Sequence, residues 1–70
     1  PSTNIEFGVK KGEIGYLTIY NVLGQKMINK KFEEGYYTYT WDASKYASGI
    51  YFYKLQTPSQ YKVNKMIMLK

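Results

Sequence analysis

The sequence predicts an all-β fold, a small antiparallel β-sandwich of about six to seven strands. The chain has 70 residues, enough for a single domain over residues 1–70, and 19% of them are aromatic. Apolar and polar residues alternate over short stretches, which is the period of a half-buried strand. Turn-forming residues separate these stretches. Two packed sheets are favoured, because one flat sheet would leave an aromatic face in water.

The first two strands each place apolar side chains on one face. Residues 3–9 and 14–20 show this alternation, and a polar turn at residues 10–13 separates them. Their predicted inward residues are Ile5, Phe7, Val9, Leu17 and Ile19.

The third strand is predicted over residues 25–32, after a loop that ends at Gly24. Its inward face is ambiguous, because Met27 and Ile28 are neighbours and successive side chains of a strand point to opposite faces. Both can face the core only if a β-bulge intervenes.

The fourth strand shows the plainest alternation, over residues 36–41, with Tyr37, Tyr39 and Trp41 on one side. A longer loop follows over residues 42–49. It can hold one helical turn, since the aspartate at its start can cap the amides after it.

The last two strands differ from this simple pattern. Residues 50–55 are apolar on both sides, which predicts a central strand covered on both faces. In residues 61–69, two apolar residues point to one face of the strand and two methionines point to the other. Either a bulge near Lys65 or contacts on both faces of the strand is therefore expected. The four residues are Tyr61, Val63, Met66 and Met68.

The residue inventory argues against catalysis and metal binding. The chain has no cysteine and no histidine, which removes the usual zinc ligands, general base and nucleophile pairs. A glycosidase needs two facing carboxylates, but Glu33 and Glu34 are adjacent and would point apart in a strand. We therefore expect no enzyme activity, no metal and no cofactor.

The net charge of +5 comes from ten lysines without any arginine. Proteins that recognise nucleic-acid sequences depend on the planar guanidinium group of arginine, so the composition argues against a nucleic-acid partner. No stretch approaches the roughly 18 apolar residues of a membrane span, so no transmembrane segment is expected. The chain starts at Pro1 without an initiator methionine or a signal peptide, as a piece excised from a larger protein would.

The aromatic residues allow three interpretations, of which the first is a platform for single-stranded nucleic acid, with bases stacked on the rings and lysines beside the phosphates. Tyrosine and tryptophan rings can stack on sugars, which would make the chain a carbohydrate-binding module. Trp41, however, shares its strand face with Tyr37 and Tyr39, which favours burial. In that interpretation the rings pack between the two β-layers and leave their hydroxyl groups at the rim.

The C-terminal segment, residues 62–70, is a predicted strand flanked by lysines. Lysines on a closing strand can simply protect an exposed sheet edge from aggregation. Alternatively, a basic terminal β-segment can serve as a recognition element, read by strand addition or by capture of the chain end.

Five blocks of the sequence resemble the type A C-terminal sorting domain of the type IX secretion system, a relative of the immunoglobulin-like domain of flagellar hook-capping proteins. The resemblance covers essentially the whole chain. The blocks are residues 1–7, residues 17–25, Gly35 with Trp41-Asp42-Ala43, Ser48-Gly49-Ile50-Tyr51-Phe52-Tyr53-Lys54-Leu55, and Lys65-Met66-Ile67-Met68-Leu69-Lys70.

The resemblance implies an immunoglobulin-like β-sandwich that acts as a non-catalytic sorting signal for a passenger attached at its N-terminal side. Its partners would be an outer-membrane translocon and a sortase-like transpeptidase. The passenger would cross the periplasm and reach the cell surface or the medium. The alternative function is a carbohydrate-binding accessory module of an extracellular glycoside hydrolase. Residues implied in recognition by the secretion machinery are Lys65, Met66, Met68, Leu69 and Lys70.

Overall fold

A computed structural model describes residues 1–69 of the chain and contains no helix in that range. Six strands make up the fold. They are β1 (Ser2–Val9), β2 (Gly15–Asn21), β3 (Lys26–Phe32), β4 (Gly35–Asp42), β5 (Gly49–Thr57) and β6 (Gln60–Met68).

The strands form two antiparallel sheets packed together, which confirms the predicted all-β sandwich. One sheet has two strands in the order β1-β4, and the other has four in the order β3-β2-β5-β6. Pairing of β5 with β6 runs without interruption from Thr57↔Gln60 to Gly49↔Met68. The bulge considered near Lys65 is therefore absent, and the alternative of contacts on both faces of this strand is wrong too, because Tyr61 and Val63 are 69% and 49% exposed.

The core lies between the two sheets, and alternation in the sequence predicted most of it. The inward residues of β1 and β2 are buried as expected, apart from Phe7, which is half-buried. Since strands alternate their side chains, every second residue supplies the core. The buried apolar residues are Ile5, Val9, Leu17, Ile19, Trp41, Ala43, Tyr51, Leu55, Met66 and Met68.

Aromatic rings fill the space between the sheets. Phe32 lies 4.9 Å from Phe7 and 4.8 Å from Tyr37, measured between ring centroids. Trp41 packs edge-on against Tyr51 at 5.1 Å, and the Tyr51 hydroxyl donates to the carbonyl oxygen of Ala47. These contacts confirm that these rings hold the two layers together, in the edge and tilted geometries that aromatic pairs prefer.

A β-bulge resolves the ambiguity in β3. Ile19 pairs with Ile28, but the next residue, Tyr20, pairs with Lys26, so Met27 is the extra residue. Met27 and Ile28 are both half-buried and pack against the core. The bulge lets two neighbouring side chains reach the same layer, which is the condition stated from the sequence for both to face the core.

The loop between β4 and β5 forms a turn instead of a helical segment. The Asp42 carboxylate accepts a hydrogen bond from the backbone N–H of Ser44 at 2.9 Å, and Tyr46 N–H donates to the carbonyl oxygen of Ala43 at 3.0 Å. The Ser44 N–H lowers the pKa of Asp42 below its ordinary value. The aspartate thus stabilises the turn that leads into β5.

Strand β5 is central, as predicted, but the prediction that both its faces are covered was wrong. It lies between β2 and β6, and its inward residues Tyr51 and Leu55 are buried. On the opposite face Ile50 is 40% exposed and Phe52 is only half-buried. The reason is that the two-stranded sheet packs against one side of the four-stranded sheet, and nothing in residues 1–69 covers the other.

Replacing Gly15 by alanine is expected to destabilise the domain by about 1–3 kcal/mol, because the new methyl group overpacks the core. A Cβ at this position would lie 2.9 Å from Val9 Cγ2 and 3.2 Å from Thr57 Cγ2. Urea unfolding followed by circular dichroism measures the change. Gly8→Ala is the control, since its Cβ would meet the ring of Tyr36, which is 95% exposed and free to move. Equal unfolding midpoints for the two variants would contradict the prediction.

Candidate functional site

The candidate site is β6, the last strand of the four-stranded sheet. Among residues 1–69 it pairs with β5 along one side only, so its other side forms an open edge. An edge strand presents unpaired backbone N–H and C=O groups to an incoming chain. This strand can therefore accept a further strand without any rearrangement of the sandwich.

Two methionines fix β6 to the core. Met66 and Met68 are 7% and 5% exposed and belong to the buried cluster between the sheets. Met66 pairs with Tyr51, and Met68 pairs with Gly49. Because side chains alternate, burial of both methionines sets the register of the strand and directs the residues between them outward.

The other face of β6 is in solvent near the end of the strand. Lys65 is exposed and pairs with Phe52, and Ile67 is 61% exposed and pairs with Ile50. Leu69, just beyond the strand, is 73% exposed. The end of the chain thus carries an exposed lysine and two exposed aliphatic side chains.

The structure divides the five recognition residues predicted from the sequence. Lys65 and Leu69 are accessible to a partner, Met66 and Met68 lie in the core, and Lys70 lies outside the described residues. Ile67 was not among them although it is exposed. The sequence shows that Ile67 faces away from the two methionines that flank it, but only the structure shows that the side of the methionines is the covered one.

The first half of β6 is held by polar contacts. The side-chain amide of Gln60 donates to the carbonyl oxygen of Gly8 at 3.2 Å, which joins the start of β6 to the end of β1. Asn64 Nδ2 donates to the hydroxyl oxygen of Tyr53 at 2.6 Å. Lys62 and Asn64 are both exposed. The hydrogen bonds of Gln60 and Asn64 stabilise the strand without contributing to the core.

The start of β1 and the end of β6 lie at the same end of the sandwich. The carbonyl oxygen of Pro1 accepts a hydrogen bond from Ala43 N–H at 3.0 Å, and Ala43 belongs to the same buried cluster as Met66 and Met68. The opposite end contains the contact between Gln60 and Gly8. A segment joined to Pro1 would therefore start at the same end of the sandwich as the last residues of β6.

An open depression of about 480 Å³ lies near the β1–β2 turn and contains one carboxylate, that of Glu34. That carboxylate accepts a hydrogen bond from Gly12 N–H at 3.3 Å. The described residues include no group of three or more acidic, histidine or cysteine residues that could hold a metal ion. Nor do they form a helix long and apolar enough to cross a membrane.

Fold and site together define a class of protein: a small β-sandwich module that offers the accessible edge of its last strand. A family profile described as "Secretion system C-terminal sorting domain" matches residues 2–69, and the chain belongs to this family. Comparison with curated proteins found no match, and comparison with solved structures found none either.

Membership confirms the resemblance found in the sequence and the function that it implied. The chain is a C-terminal sorting signal for type IX secretion. Such a signal interacts with the secretion machinery and leads to export to the cell surface or the medium. The carbohydrate-binding alternative finds no support, and Trp41, its main candidate, is 3% exposed and packed between Tyr46 and Tyr51.

Proposed function

We propose that the secretion machinery reads this sorting signal at the end of β6, through its open edge and the exposed side chains of Lys65, Ile67 and Leu69. The observation that carries the proposal is the alternation along this strand, with methionines inward and accessible residues between and after them. In this arrangement Met66 and Met68 act as anchors that present the strand.

Strand addition explains how one machinery can recognise such a signal in many passengers. Backbone hydrogen bonds supply affinity that depends little on sequence, and alternate side chains supply specificity. A folded edge strand also limits the loss of conformational entropy on binding, because the strand is already extended and in register. Lysine at the site adds electrostatic attraction to an acidic partner.

We extend the proposal to the partners and the route implied by the family resemblance. The machinery comprises an outer-membrane translocon and a sortase-like transpeptidase, and the passenger attached before Pro1 crosses the periplasm on its way out. The sorting domain itself is not an enzyme. The position of Pro1 at the same end of the sandwich as the last residues of β6 supports this scheme. Lys70 completes the recognition segment on the basis of the resemblance.

Charged substitutions at the exposed end of β6 are expected to block export of a fused passenger. Leu69→Asp and Lys65→Glu remove an apolar contact and reverse a charge, and each should reduce exported passenger by roughly tenfold. Cell fractionation and immunoblotting of the passenger measure the ratio between periplasm and medium.

Two matched variants control this experiment. Leu23 in the β2–β3 turn is 79% exposed, close to the 73% of Leu69, so Leu23→Asp makes the same change elsewhere. Lys62→Glu reverses a charge on the same strand, on the face opposite to that of Lys65. Normal export of Leu69→Asp and Lys65→Glu fusions, with the domain shown to be folded, would overturn the proposal.

A further inference from the structure

The side of the four-stranded sheet that faces away from the two-stranded sheet is an open surface, which we call the outer face. It consists of the even-numbered residues of β2 from Tyr16 to Tyr20 and of β5 from Ile50 to Gln56, the odd-numbered residues of β6 from Tyr61 to Ile67, and Lys26, Asn29 and Lys31 of β3. Most of this surface extends well beyond the terminal recognition segment.

Apolar side chains form a continuous part of the outer face. Ile67 and Ile50 pair across β6 and β5, and Phe52 pairs with Tyr20 on the next strand. Val63 is 49% exposed, and Tyr61 is 69% exposed. A contiguous apolar patch on the surface of a soluble domain marks a place where another molecule binds.

The charge on this sheet has a single sign. Strands β2, β3, β5 and β6 contain six lysines and no acidic residue. Four of these lysines, Lys26, Lys31, Lys54 and Lys65, belong to the outer face, and they are distributed over β3, β5 and β6. All five acidic residues of the chain lie in the two-stranded sheet or in the turns. A partner of this face is therefore expected to be acidic.

The position of Lys54 indicates which kind of acidic partner fits. Lys54 lies on the central strand, between Thr18 and Val63, and its Nζ is 5.6 Å from the centroid of the Tyr20 ring. A membrane would force this ammonium group below the lipid headgroups, since lysines reach the interface only from the rim of a buried surface. A protein can place a carboxylate opposite it.

Other occupants fit this face less well. A second copy of the chain would set the lysines of one outer face against the lysines of the other. A nucleic acid would contact the aliphatic side chains of Ile50 and Ile67, and the chain has no arginine to form hydrogen bonds with its phosphates or bases.

We propose that the outer face docks an acidic protein surface of the secretion machinery. Carboxylates of the partner pair with Lys31, Lys54 and Lys65, and its apolar side chains cover Ile50 and Ile67. The inference rests on the proposed function for where the partner occurs, but it assigns a second contact surface, most of it remote from the chain end.

Charge reversal on the outer face, away from the chain end, tests this assignment. In a passenger fusion, Lys54→Glu and Lys31→Glu are each expected to reduce export by roughly tenfold, because one attractive contact becomes repulsive. Lys30→Glu is the matched control for Lys31→Glu, because it changes the neighbouring residue, which is exposed on the opposite side of β3. Export of the control should stay within about twofold of the parent. Fluorescence of the buried Trp41 verifies that each variant is folded.

A photo-crosslinking amino acid at position 31 identifies what covers the face during export. The expected adduct joins the fusion to a protein of the outer membrane, within a segment rich in aspartate and glutamate. Reversing one of those acidic residues to lysine should restore export of the Lys54→Glu fusion. Adducts with lipid or with a second copy of the fusion would overturn the assignment, as would unchanged export of both lysine variants.

The two proposals fail separately. If export is lost with Leu69→Asp but not with Lys54→Glu or Lys31→Glu, the terminal strand is the recognised element and the outer face is not a contact surface. If export is lost with the two lysine variants but not with Leu69→Asp, the outer face is a contact surface and the terminal strand is not the recognised element.

Discussion

Replacing Trp41 by alanine is expected to leave most of the domain unfolded. The side chain is 3% exposed, stacked against Tyr46 and packed edge-on against Tyr51, so its removal opens a large cavity between the sheets. Truncation of a buried tryptophan costs about 3–5 kcal/mol. A core of this size supplies roughly 3–5 kcal/mol in total. Urea unfolding followed by far-ultraviolet circular dichroism measures the loss.

Tyr36→Ala is the control for this prediction. It also removes an aromatic ring from β4, but Tyr36 is 95% exposed and its truncation should change stability by no more than about 0.5 kcal/mol. A Trp41→Ala domain that unfolds cooperatively at nearly the parent midpoint would show that the rings do not hold the two sheets together.

Replacing Met66 by aspartate is expected to detach β6 from the core. The position is 7% exposed and faces Tyr51, so the new carboxylate would be buried without a partner. An uncompensated buried charge costs about 3–5 kcal/mol, which is comparable to the stability of the whole domain. Hydrogen exchange of the β5 and β6 backbone amides should accelerate. Lys65→Asp, one residue earlier and exposed, should leave this exchange nearly unchanged.

A conservative variant separates anchoring by Met66 from direct recognition of it. Met66→Leu keeps the apolar volume, so it should cost less than about 1.5 kcal/mol and leave export of a fused passenger intact. If a folded Met66→Leu fusion failed to be exported, the machinery would have to contact the methionine itself. The role of Met66 as an anchor would then be wrong.

The sequence was sufficient to predict which residues of most strands face the core. Leu17 and Ile19 in β2, and Tyr37, Tyr39 and Trp41 in β4, lie on the expected sides because alternation is a local property of an extended chain. The sequence left the inward face of β3 open, and the structure decided it through the bulge at Met27, without which two adjacent residues cannot both face the core.

The recognition site was predicted only in part. The terminal segment was found through its lysines and its resemblance to a family, but the prediction treated Met66 and Leu69 as equivalent. The structure separates them, one in the core and one in solvent. Alternation alone could not do so, because it shows that the methionines and Ile67 point to opposite sides without showing which side is covered.

What the sequence determined by itself is therefore the set of strands, the alternation within each and the single sign of charge carried by β2, β3, β5 and β6. The tertiary structure decided that β6 is an edge, that Met66 and Met68 are its buried side, and that the outer face of β5 is open. The physical reason is that alternation arises from neighbouring residues. Strand order and the covering of a face arise instead from pairings between distant segments, such as the β1–β4 sheet that packs on one side only.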